Sequence, residues 1–106
     1  MMRYMTRDAD VLLCICYKDY LSKVKSGMSK TESRQFSKLY KNENHLLSSW
    51  HEDDYHSVCH ELKNLGYFKV WVSGSFELTP LAIEYMENRF KNNIKELAEF
   101  ISPFIP

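Results

Sequence analysis

The stretch Ser49–Tyr85, SWHEDDYHSVCHELKNLGYFKVWVSGSFELTPLAIEY, changes its hydrophobic period twice, and those changes decide the fold. Ser49 and Glu52 stand in the S-x-x-E spacing of a capping box. Asp53 and Asp54 add negative charge where a helix N-terminus is positive. Tyr55, Val58, Cys59, Leu62 and Leu65 recur at helical spacing and Gly66 supplies a stop, which predicts a helix over 49–65. From Tyr67 the period falls to two: Phe68, Val70 and Val72 alternate with Tyr67, Lys69 and Trp71. After Ser73-Gly74-Ser75, Phe76 and Leu78 return in phase, giving a two-stranded ribbon over 67–79. Pairing Val72 with Phe76 and Val70 with Leu78 gathers these four on one face. Tyr67, Lys69, Trp71 and Glu77 are left on the other.

Thr79 then caps a further helix with Pro80 at its first position, where a missing N–H costs nothing. Ile83, Met86, Phe90, Ile94, Leu97 and Ile101 follow at spacings of three and four. One continuous helix over 80–102 is predicted, about 34 Å long at 1.5 Å per residue, with Pro103 and Pro106 beyond it. On the N-terminal side, residues 1–5 read as a tail and Thr6 caps a helix over 6–26, closed by Ser26-Gly27. Its wide apolar stripe, including Val11, Cys14, Ile15, Leu21 and Val24, marks it as central to the core. Ser29 and Glu32 form a second capping box, predicting a narrow-striped helix over 29–41 with Phe36, Leu39 and Tyr40 inward. Leu46 and Leu47 are expected to anchor the following loop.

With 106 residues the chain makes one domain, and the class is mainly α with a small β-ribbon. Fourteen basic residues balance fourteen acidic ones, which disfavours a uniformly basic nucleic-acid binder and makes the placement of charge decisive. Three cysteines without paired spacing fit reduced thiols in a cytosol. No apolar run reaches the ~20 residues of a membrane span, and the Met-Met-Arg-Tyr start has no signal-peptide pattern, so a cytoplasmic protein without membrane contact is expected.

The order helix, ELKNLGYF, ribbon, LTPLAIEYMEN resembles the winged helix-turn-helix superfamily, most of all the small YjcQ-like proteins of bacteria and phages. It shares features with PadR-like and MarR-like regulators. Leu62, Leu65, Gly66, Tyr67 and Phe68 match the helix–wing junction, and Leu78, Thr79 and Tyr85 the wing exit; Ala82 stands where the family usually has Gly. The likeness covers about residues 50–100 well, and residues 6–48 in helix order. It implies a winged helix with a long C-terminal helix, and a role in DNA binding or transcription regulation.

In such a fold the third helix enters the major groove and the ribbon lies along the backbone. That frame makes Ser57, His60, Lys63 and Asn64 the groove candidates and Lys69 the wing contact, with Lys23, Lys25, Lys30, Arg34 and Lys38 as phosphate holders. Against it, residues 43–61 contain no Lys or Arg but carry Glu43, Glu52, Asp53, Asp54 and Glu61. The alternative is a protein-interaction module without DNA binding, using the acidic third helix with Tyr67 and Trp71 of the ribbon. Ile83, Met86, Phe90, Ile94, Leu97 and Ile101 are the expected seam of a homodimer, unless the helix folds back on the first one. His51, His56 and His60 fall about a helical turn apart, but Cys59 lies on the apolar stripe and no fourth ligand is evident, so no metal, cofactor or catalytic constellation is expected.

Overall fold

A computed structural model of the chain describes residues 5–91 and 94–102, the side chain of Ile94 excepted. The elements are α1 (Arg7–Lys25), α2 (Lys30–Ser33), β1 (Gln35–Phe36), α3 (Tyr40–Glu43), α4 (Glu52–Asn64), β2 (Phe68–Val70), β3 (Phe76–Leu78), α5 (Pro80–Phe90) and α6 (Ile94–Ile101). The chain is mainly helical with a small antiparallel sheet. Met1–Tyr4, Asn92, Asn93 and residues 103–106, with the N-terminal tail and the closing prolines expected there, lie outside the described residues.

Helix α1 is the spine. Thr6 caps it by accepting the Ala9 N–H, and Asp8 and Asp10 occupy its first turn. Its burial is nearly continuous from Val11 to Tyr17 because α2, α4, α5 and α6 all pack against it. Fully burying side chains such as Leu12 and Leu13 stabilises the fold by about 1.5–3 kcal/mol each. Its exit is a Schellman turn: Gly27 N–H bonds to Val24 O and Met28 N–H to Lys23 O, with Gly27 at φ 106°. The end of α4 repeats the device, with Gly66 N–H on Lys63 O and Tyr67 N–H on Leu62 O.

The segment expected as one helix over 29–41 is corrected to three pieces. Ser29 does cap a turn by accepting the Glu32 N–H, but α2 ends at Ser33 and the chain extends into β1. Phe36 there stacks on Phe76 at 5.1 Å, an aromatic contact across strands that outweighs weak local helix propensity. Leu39, expected inward, is exposed; Tyr40 is buried, its hydroxyl donating to the Asp19 carboxylate. The third helix begins three residues later than expected. His51, not Ser49, takes the N-cap position, since Leu46 and Leu47 are drawn into the core and hold residues 44–50 in successive turns.

The ribbon gains β1 as a third strand in the order β1-β3-β2. Its register is Phe68 opposite Leu78 and Val70 opposite Phe76, two residues from the expected pairing, so the inward face is retained. The shift arises at the turn: Gly74 N–H bonds to Trp71 O and Trp71 N–H to Ser75 O, with Gly74 at φ 96°. This three-residue turn with a glycine bulge leaves Val72 at the tip, wholly exposed, instead of paired with Phe76.

Thr79 caps α5 by accepting the Ala82 N–H and donates to Gly66 O at 2.6 Å, tying the wing exit to the wing entry. The continuous helix predicted over 80–102 is also corrected. Lys91 adopts φ 50°, ending α5 at Phe90, and α6 packs back on α1. Arg89 secures the fold-back with a bidentate pair to Asp10, at 2.5 and 3.1 Å, its guanidinium 4.9 Å from the Phe90 ring and 4.7 Å from the Phe100 ring. Packing one face of α5 and α6 inward within one chain buries Ala82, Met86, Phe90, Leu97 and Ile101.

Candidate nucleic-acid interface

Helix α4 buries Tyr55, Val58, Cys59 and Leu62 and turns its other face to solvent. Along that face the charge is divided. Glu52, Asp53 and Asp54 fill the first turn, all exposed, where the helix dipole stabilises them. Glu52 lies 3.8 Å from the Lys41 ammonium and 3.6 Å from His56 Nε2. Asp54 and Asp8 flank a 260 Å³ hollow walled by Trp50 and floored by Val11, Ile15 and Leu46.

The second half differs. Glu61, which in sequence adds to the acidic run, is turned sideways to α1: its two oxygens accept from Thr6 N–H and Thr6 Oγ1, both at 2.7 Å. The outward side chains there are Ser57, His60, Lys63 and Asn64. Ser57, His60 and Asn64 line one open depression of 460 Å³ with Glu61 and Leu65. Four residues nominated as groove contacts therefore share one exposed half-helix, bringing hydroxyl, imidazole, amide and ammonium groups beside the Glu61 carboxylate. Such groups can donate to phosphate oxygens and base edges.

The nominated phosphate holders separate. Lys69 stands on the outer face of β2 in a cross-sheet row with Glu77 and Gln35, its ammonium 5.3 Å from the Trp71 ring centroid. Lys38 is exposed and packs at the wing turn, where a Cβ on Gly74 would meet Lys38 Cβ at 3.3 Å. Lys25 and Lys30 are exposed at the corner between α1 and α2, and Arg34 is half-buried. Lys23 drops out of the set. Its ammonium donates to Gln35 O at 3.0 Å and sits 4.1 Å over the Phe36 ring, and burial pulls its pKa below the usual lysine value. It instead covers the free edge of β1, a charged group that discourages edge-to-edge pairing.

Of the two ribbon aromatics, Tyr67 is half-covered, stacking on Tyr85 at 5.2 Å, so the last helical region takes it into the fold. Trp71 stays 41% exposed. The residues expected at a dimer seam pack within the chain. Met86, Phe90, Leu97 and Ile101 are buried within one chain and Ile83 is half-buried, while the Ile94 side chain lies outside the described residues. That face is occupied by α1 rather than offered to a second copy.

The thiols do not offer a nucleophile at neutral pH. Burial pushes Cys14 up to about 12 and Cys59 up to about 11, and raises Cys16 as well. Among the described residues no group of three His, Cys, Asp or Glu side chains could hold a metal ion, and no helix is long and apolar enough to cross a membrane. Sequence reasoning missed the Thr6–Glu61 and Asp10–Arg89 links, which join residues far apart in the chain and leave no local signal. Compared with known proteins, the chain matches no family model, no curated protein and no solved structure.

Proposed function

We propose that this is a winged-helix protein that binds duplex DNA and acts in transcription control, without an enzymatic step. Support for the fold comes from element order: two helices, an edge strand, two helices and a ribbon, with strand order β1-β3-β2. The observation that carries the DNA reading is the division of α4. Glu61 accepts two hydrogen bonds from Thr6, which turn it toward α1, while Ser57, His60, Lys63 and Asn64 are exposed on the same half-helix. In this reading Lys63, Lys69 and Lys38 neutralise phosphates while Ser57, His60 and Asn64 approach the groove. The acidic first turn stays outside the duplex, since carboxylates near phosphates are repelled.

Three phosphate contacts imply that log affinity falls with log salt at a slope of about −2.7, or about 40-fold between 50 and 200 mM. Anisotropy of a labelled random duplex at those two salt concentrations tests this. Absence of binding at 50 mM would reject it. A second reading, a protein-interaction module, draws on exposed Trp71 and Val72 at the wing tip beside the acidic first turn of α4. It predicts no salt-sensitive duplex binding.

A further inference from the structure

Beside the wing turn a groove of 520 Å³ runs between β1, with Ser37 after it, and the ribbon. Its floor reaches Phe36 and Phe76, one wall is Trp71, and Gln35, Ser73 and Ser75 bring an amide and two hydroxyls to its sides. Ser73 Oγ and Ser75 Oγ are 2.9 Å apart, one donating to the other, which leaves each with further hydrogen-bonding capacity. Two lysines stand beside the lining: Lys38 packs its Cβ near the Gly74 turn, and the Lys69 ammonium is 5.3 Å from the Trp71 ring centroid. The nearest carboxylates are outside the lining. Glu77 is in the middle of the sheet row, and Glu43 receives Ser37 Oγ at 3.5 Å. A flat aromatic wall, hydroxyl and amide groups, and two neighbouring lysines match a planar, hydrogen-bonding, anionic ligand.

We infer that this groove is a nucleotide site, in which a single unstacked base lies on Trp71 and its phosphate is held by Lys38 and Lys69. The base supplies the π-face, the serines and Gln35 meet its polar edge, and the phosphate accounts for the two neighbouring lysines. The occupant is a residue of single-stranded nucleic acid or a free mononucleotide, chemistry that a paired base inside a duplex cannot present. The groove lining comes from β1, Ser37, the wing turn and β3, and none from α4, while Lys38 and Lys69 are common to this site and the duplex reading.

Trp50 and Trp71 are the two tryptophans, so the full chain carrying Trp50→Phe reports on Trp71 alone. A five-residue oligothymidylate should quench its emission saturably at low salt. Anisotropy with labelled oligothymidylate should show Trp71→Ala weakening binding by about 5- to 150-fold, with Trp71→Phe between and the exposed neighbour Val72→Ser unchanged. Circular dichroism of each variant checks folding. Quenching by thymidine monophosphate equal to that by the oligomer assigns the site to free nucleotides; stronger quenching by the oligomer assigns it to single strands. No quenching by either, or equal quenching by a pentaglutamate peptide, overturns the inference. Lys63→Gln separates the two proposals, because it should weaken duplex binding and leave oligothymidylate quenching intact.

Discussion

Breaking the Asp10–Arg89 pair should cost more than an ordinary surface ion pair, and a double-mutant cycle reads the difference. Arg89 makes two charge-assisted hydrogen bonds to Asp10 in fork geometry, and its stem lies between Phe90 and Phe100. The side chains are 27% and 22% exposed, so solvent screens part of the attraction. Hydrogen bonds to charged groups contribute ~1.5–3 kcal/mol. Screening reduces the loss on Arg89→Met to about 2 kcal/mol, and Asp10→Asn should lose a similar amount. Because each variant strands the other partner, the double variant should lose little more than either one, giving a coupling of about 1–2 kcal/mol. Urea unfolding followed by circular dichroism measures all four corners. Arg89→Lys should recover less than half, since an ammonium cannot form the fork. Single losses below ~0.5 kcal/mol with no coupling would place the pair at the level of an exposed salt bridge and refute the docking of α5 against α1 argued from it.

Other perturbations have equally definite outcomes. Gly66→Ala puts a side chain at φ 86° and brings its Cβ 3.4 Å from Leu81 Cδ2; it should cost about 1–2 kcal/mol, read as a lowered urea midpoint. Phe90→Glu with Leu97→Glu should unfold the chain rather than release a stable monomer, because both side chains are buried within one copy; a folded variant by circular dichroism would contradict this. Stability should fall above about pH 9. Burial raises Cys14, Cys16 and Cys59 above their unfolded value of 9.0, so this contribution is complete below that pH. It is lost as the unfolded chain ionises first and the pH climbs through about 11 for Cys59 and about 12 for Cys14. Thiol titration at pH 8 should be slow in the native protein and fast in urea; equal rates would show the thiols to be accessible.

The parts of the fold legible in sequence were those set by local chemistry. Thr6, Ser29 and Thr79 each accept the N–H three residues on, and Gly27 and Gly66 take the left-handed conformation that stops their helices. What was illegible depended on distant partners. Nothing within 29–41 announces that Phe36 will stack on Phe76, and that contact converts a capped helix into α2, β1 and α3. The stripe from Ile83 to Ile101 is equally consistent with a second copy or with α1; within the chain, the left-handed Lys91 and the Asp10–Arg89 pair accompany its packing on α1. For the candidate site, the exposed set Ser57, His60, Lys63 and Asn64 followed from helical periodicity alone. The loss of Lys23 to Gln35 O, and of Glu61 to Thr6, required the tertiary structure. These two links orient Glu61 and Lys23 in ways the linear sequence does not show.

The claim that matters most is that the second half of α4 and the wing strand face DNA. Amide chemical-shift mapping on adding a random duplex at 50 mM salt tests it most directly. Saturable shifts at Ser57, His60, Lys63, Asn64 and Lys69, fading at 200 mM salt, are the predicted result. Shifts centred on Asp8 and Asp54, or no shifts at all, would contradict it.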